Sequence, residues 1–287
     1  MATIDELVSL VPPPAAPVDG DGDWQTVEEA LGVRLPTDYK LLVGRYGFGE
    51  FADITLLTPF SEYLDGAYDL VEGGLSLVER FQSLREASPE RYPFPLYPEP
   101  GGVLEWAIAS ENTSLCWLTE GEPDTWPVAA WNPVSARGDR YKMGAVELLH
   151  AYLSGRRKVP LLGPAPREPW FEPHRERSTV WVQLSKSELP YREQLQRLRE
   201  VMAPTVDRGS VNDRRNKRRA DSFKATDRDW LVIFEDHYGY RICLDILPGD
   251  EDEARPFVFE AAQAMGCRVL AAVKDESPIW IYGDEAT

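Results

Sequence analysis

Histidines, cysteines and clustered carboxylates are the side chains best able to carry catalysis or hold a metal, so their spacing is read first. The three histidines, His150, His174 and His237, stand at no H-x-x-x-H or H-E-x-x-H spacing. They therefore do not offer two imidazoles to a zinc ion from one helical face. The three cysteines, Cys116, Cys243 and Cys267, are widely separated and form no C-x-x-C. That argues against a disulfide framework and suits small core residues in a reducing compartment. Cys116 would be a nucleophile only beside a distant histidine, and its place in the alternating run TSLCWLTE favours a packed strand residue. Gly47-Phe48-Gly49 lacks the third glycine of a dinucleotide fingerprint and follows a predicted helix, not a strand. The run Asp250-Glu251-Asp252-Glu253 has the charge for a divalent cation, but four adjacent acids cannot all converge on one ion. It better suits the opening turn of a helix. The expectation is a non-enzymatic chain without cofactor or metal.

What remains is charge. The 287 residues include 48 Asp plus Glu against 31 Lys plus Arg, a formal net charge of −17. Such a surface repels phosphate backbones and anionic membranes and suits a basic protein partner. Glu50, Asp53, Glu62, Asp65, Asp69, Glu72, Glu111, Glu120, Glu122 and Asp124 fall in or beside predicted turns. Carboxylates placed there can meet the Lys and Arg of a partner and speed encounter. Taken singly, each of them reads first as a solvated surface group that aids solubility; only their concentration in one half favours a partner. Against this trend, residues 208–219 hold six basic residues in twelve: Arg208, Arg214, Arg215, Lys217, Arg218 and Arg219. Two readings compete, a solvated loop between strand and helix or a phosphate- or protein-binding arm. With Asp207, Asp213 and Asp221 close by and no aromatic residue inside it, the segment reads as a flexible loop. It is also charged to lie against the acidic half.

Length and composition fit about two soluble domains: apolar residues are 43 % and charged residues 28 %. The first basic residue is Arg34, which leaves no basic leader region, and no apolar run approaches the ~18 residues of a spanning helix. A cytoplasmic location is expected. Five prolines between Val159 and Ser178 forbid helix interior and central strand alike, so residues 159–177 are expected to link domains 1–158 and 178–287. Up to residue 165 there are 12 basic and 25 acidic residues, and after it 19 and 23, so the two parts differ electrostatically.

These residues need elements to position them. A short first helix precedes the prolines at 12–17. Trp24, Val27 and Leu31 form a helical stripe behind Asp23, an N-cap, with Gly32 as its stop. Pro36 occupies the first position of a second helix carrying Tyr39, Leu42, Val43 and Tyr46, closed by Gly47. Strands are expected at 51–58, 103–109, 113–119 and 126–131, and a helix at 144–153. The second part reads as a strand at STVWVQLS, a helix over 191–202, a hairpin from WLVIFED and YRICLDIL, a helix over 257–265, and strands at CRVLAAV and IWIY. That order resembles the split βαβ arrangement, and the fold class is α+β.

The run WQTVEEALGVRLPTDYKLLVGRYGFG at 24–49 resembles the opening of the SUKH superfamily, whose members include many bacterial immunity proteins and some fungal cell-wall regulators. TSLCWLTEGEPDTWPVAAW is similar to the family's paired strands and acidic turn, and AVELLHAYLSG to its terminal helix. The resemblance spans roughly residues 1–158 and is poor over 61–100. It implies an antiparallel sheet with flanking helices that binds other proteins; in bacteria such domains often neutralise a toxin, commonly a nuclease or deaminase. Trp24, Leu35, Pro36, Tyr39, Tyr46 and Gly47 are then core and turn residues, not contacts. The leading expectation is an immunity protein or antitoxin that occludes a toxin's active or substrate-binding surface. A scaffold or regulatory adaptor on the same fold is the alternative, and a nucleic-acid-associated regulator working through the basic arm is a third.

Overall fold

The computed structural model describes residues 3–60, 68–109, 112–213, 218–236 and 239–280. The chain divides into two compact units, Met1–His174 and Arg175–Thr287.

In the first unit, helices α1 (Ile4–Leu10), α2 (Trp24–Leu31), α3 (Thr37–Tyr46) and α5 (Ala145–Leu153) cover one face of a sheet. Local chemistry sets their ends. Thr3 and Glu6 form a capping box on α1, Asp23 accepts from the Gln25 N–H at 3.0 Å, and Gly32 closes α2 at φ 73°. Pro36 is the cap of α3, one residue outside the position expected for it. Gly47 sits at φ 70°, and a Cβ there would collide with the Val18 backbone, so the stop after α3 requires glycine.

The sheet runs β6-β5-β4-β3-β2-β1-β7, every neighbour antiparallel: β1 (Gly49–Phe51), β2 (Ile54–Leu56), β3 (Val103–Ala109), β4 (Thr113–Leu118), β5 (Val128–Asn132), β6 (Arg137–Tyr141) and β7 (Phe171–Pro173). Strand alternation sends Leu104, Leu115, Trp117 and Ala130 into the main core, and Val103, Cys116, Leu118 and Trp131 into a second core on the other face. That outer face is covered by α4 (Leu70–Ala87), whose Phe81 ring centroid lies 4.7 Å from that of Trp131. The sequence pattern missed α4, although Asp69 caps it; Gly73 and Gly74 blunt its periodicity, and an added Cβ at Gly74 would press on Leu104 at 3.3 Å. The single strand expected at 51–58 is a hairpin that breaks at Ala52, φ 51°. Trp24 is half-buried, edge-on to Phe60 and Tyr39, while Tyr39 and Tyr46 are fully buried.

Of the stretch 159–177 expected as a linker, the part up to His174 lies in the first unit. Val159 is buried, the Tyr152 hydroxyl donates to the Leu162 and Pro164 carbonyls at 3.1 and 3.2 Å, and β7 pairs with β1. Prolines are tolerated there because β7 is an edge strand and the rest is turn.

The second unit is a seven-stranded antiparallel sheet, β14-β13-β8-β12-β11-β10-β9, built from β8 (Ser178–Leu184), β9 (Thr205–Asp213), β10 (Arg218–Ala225), β11 (Trp230–Glu235), β12 (Arg241–Ile246), β13 (Val269–Lys274) and β14 (Ser277–Pro278). Helices α6 (Tyr191–Val201) and α7 (Glu251–Ala264) pack on one face. The four strands β13-β8-β12-β11, joined through α6 and α7, have the split βαβ order, with the β9–β10 hairpin inserted before β11. Helix α7 starts six residues earlier than expected and holds Pro256 inside it. The strand expected at IWIY is not formed at Ile279 and Trp280; Ile281 and Tyr282 lie outside the described residues.

Among the described residues, no helix is long and apolar enough to cross a membrane.

Candidate functional site

Of the residues most capable of chemistry, the three cysteines and His150 are buried. Cys116 is fully buried on β4 opposite Glu105 of β3, and burial, helped by that carboxylate, pushes its thiol well above the usual range. His150 is buried in α5, and the His174 ring lies 4.5 Å from Phe48. His237 lies outside the described residues. Among the described residues, no group of three or more His, Cys, Asp or Glu is arranged to hold a metal. The acidic run at 250–253 opens α7 as expected: Asp250 accepts from the Trp230 indole N–H at 2.9 Å and Glu251 pairs with Lys274.

The expected acidic surface separates into two groups. Ala109 faces Thr113 and Ile54 faces Ala109, so the β1–β2 turn bearing Asp53 lies at the same end of the sheet as the β3–β4 connection. The β4–β5 turn with Glu120, Glu122 and Asp124 lies at the opposite end, beyond Leu118. The seven residues of β3 span about 20 Å. A single continuous interface over both ends would have to cross that distance.

At the β4–β5 end the three carboxylates differ. Asp124 accepts from the Thr37 N–H at 2.6 Å and the Thr37 hydroxyl at 3.2 Å, which satisfies the start of α3. Glu122 pairs with Arg34 at 2.9 Å, both side chains well exposed. Glu120 is exposed on the same turn. The turn is held by the Thr125 hydroxyl donating to the Glu122 carbonyl at 2.7 Å and the Trp126 indole donating to the Gly121 carbonyl at 3.1 Å. Asp38, a residue that spacing did not single out, continues the arrangement: it accepts from the Val146 N–H at 3.3 Å at the start of α5. Burial raises its pKa, opposed by those N–H bonds and reinforced by the charge of Asp124. Glu28 accepts from the Leu35 N–H at 2.7 Å and pairs with Lys40; burial pushes its carboxyl up, but these partners outweigh it and hold it low.

Elsewhere, Asp69 caps α4 by accepting from the Val71 and Glu72 N–H groups at 2.8 and 2.7 Å, and Glu72 is exposed in its first turn. Asp53 is exposed in the β1–β2 turn, with desolvation raising its carboxyl. Glu50 on β1 stands opposite Glu172 of β7. Glu62, Asp65 and Glu111 lie outside the described residues.

In the described parts of the basic segment, residues 208–213 and 218–219 are strand where a loop was expected. Its two ends are strands β9 and β10, paired from Thr205↔Ala225 to Asp213↔Arg218. Arg218 is exposed, and Arg219 stacks over Tyr191 with its guanidinium 4.0 Å from the ring centre. Arg214, Arg215 and Lys217 lie outside the described residues. The hairpin was hidden because β9 buries none of its residues and β10 buries only Ala220, Phe223 and Ala225 among charged and small polar ones.

Residues 21–145 match the family model SUKH_6, described as SMI1-KNR4 cell-wall. No curated protein and no solved structure matches the chain.

Proposed function

We propose that the chain, whose residues 21–145 match the SUKH_6 family model, is a non-enzymatic immunity protein or antitoxin that occludes the surface of a basic toxin. The observation that carries this reading is the β4–β5 turn, inside the matched region, where Glu120 and Glu122 are presented to solvent on a turn anchored by Asp124. A turn fixed in this way offers charge at low ordering cost, which favours fast, electrostatically steered association with Lys and Arg of a partner. Glu72 and Asp53 are a second, separate patch. Asp69 and Asp124 act in the proposal as supports, since both are committed to helix starts. The description of the matching family, cell-wall, favours a second reading: a regulatory adaptor that uses the same surface on a protein of its own cell.

The test is to purify the tagged chain from its own host, identify the co-eluting protein, and express that protein with and without the chain. Immunity requires a partner that is toxic alone and silenced by the chain. A non-toxic partner supports the adaptor.

A further inference from the structure

The second unit has a surface that the reading of the first does not use. Helices α6 and α7 cover one face of its sheet, and strand alternation sends every second side chain to the other. The pairing register lays those side chains out in rows. Val273, Trp181, Cys243 and Ile233 form a central row across β13, β8, β12 and β11. One end of β12 and β11 carries Arg241 and Glu235, the other Asp245 and Leu231, with Lys224 of β10 beside Leu231. An open antiparallel face is ordinarily polar; here the middle row is apolar and its Trp181 is exposed. The charges at the two ends are satisfied within the chain. Arg241 pairs with Glu235, Lys224 with Asp229, and Asp245 accepts from the Thr179 hydroxyl at 2.6 Å. This face can therefore be covered without stranding an unpaired charge.

We propose that it packs on the same face of a second copy, about a two-fold axis that crosses the strands at the central row. Charge and apolar pattern together choose that axis. Rotation about it lays the apolar row on itself and sets Arg241 over the partner's Asp245, and Asp245 over the partner's Arg241. Glu235 then faces the partner's Leu231, one strand away from the partner's Lys224. An axis along the strands does worse. Centred on β12 it sets Arg241 over the partner's Arg241; between β12 and β11 it puts Trp181 on the partner's Ser222; between β12 and β8 it gives Arg241 and Asp245 no opposite charge. Two sheets stacked about 10 Å apart with nearly aligned strands make an ordinary sandwich. Five strands about 4.8 Å apart, each with three outward residues, give a patch of roughly 25 by 20 Å, or about 1,000 Å² over two copies. That is the lower bound of a specific interface, so the dimer is weak and depends on concentration.

The test is sedimentation of the full chain over a concentration series. The mass should rise from that of one chain toward that of two between about 1 and 500 µM, as suits an interface of this size. Trp181→Glu, at an exposed position, should stay monomeric with an unchanged circular-dichroism spectrum, and so should Trp181→Lys. Mixed in equal amounts, these two variants should associate again, because opposite charges then face each other across the axis. Asp245→Arg should weaken the dimer by about fivefold or more, and Leu41→Glu, an exposed apolar position in the first unit, should leave it unchanged. A chain that is monomeric at every concentration, a dimer that Trp181→Glu or Asp245→Arg leaves intact or that Leu41→Glu abolishes, or a mixture no more associated than either variant alone would each overturn the proposal.

Discussion

Both units are built on seven antiparallel strands, yet they use the two faces of their sheets differently. The first sheet is buried on both faces, with Trp117 in one core and Trp131 in the other. The second has its core on the α6–α7 side, while Trp181 on the other face remains 42 % exposed beneath the Arg241 guanidinium. In the first unit carboxylates terminate helices: Asp23 at α2, Asp124 at α3, Asp69 at α4 and Asp38 at α5. Arginines lie over rings in both units, Arg140 on Phe94 and Arg157 on Tyr141 in the first, Arg219 on Tyr191 and Arg228 on Phe257 in the second. A high count of acidic residues is thus not a count of available acidic surface, because several are consumed in holding backbone N–H groups.

The largest expected effect tests the two-faced sheet. Trp131→Ala should cost about 3–5 kcal/mol in a denaturant titration, as for any fully buried aromatic, whereas Trp181→Ala should cost under about 1 kcal/mol. Similar values for the two would break the contrast between the sheets. The caps come next. Asp124→Ala and Asp38→Ala should each lower stability by about 0.5–2 kcal/mol, while Glu120→Ala on the same turn stays within about 0.5 kcal/mol. Equal losses would mean that Asp124 is no support.

The smallest effect is pH dependence, read from denaturation midpoints across the acid range. Burial favours the neutral form of Asp229, but Lys224, Arg177 and Arg175 outweigh it and hold the carboxyl below its ordinary 3.8. Its stabilisation is therefore present above that value and lost as pH falls through the lower folded one. Asp38 has the opposite sign: with its pKa raised above 3.8 by burial, ionisation opposes folding, and the penalty is relieved as pH falls. Asp229→Asn should flatten the acid-side loss, and Asp38→Asn should remove the gain. Slopes of unchanged sign and size in both variants would contradict these placements.

Much of this was legible in the residue pattern. Asp23, Gly32 and Gly47 marked helix boundaries because caps and left-handed stops demand particular side chains, and the strands at 103–109 and 113–118 follow from their apolar runs. The β9–β10 hairpin was illegible because an edge hairpin buries little and shows almost no hydrophobic alternation. At the candidate surface, Glu120, Glu122 and Asp124 were singled out together by their turn. Their different roles depend on Thr37, 87 residues away from Asp124 in sequence, and on Arg34. Such contacts exist only once β4, β5 and α3 are packed.

The most direct measurement of partner binding is the association rate between the chain and the protein that co-elutes with it from its host, at low and at high salt. Glu120→Lys combined with Glu122→Lys leaves the Asp124 cap in place. That double variant should associate at least tenfold more slowly at low salt and approach the unmodified chain as salt screens the charges. An unchanged rate and salt dependence, with folding intact, would contradict a partner surface at the β4–β5 turn.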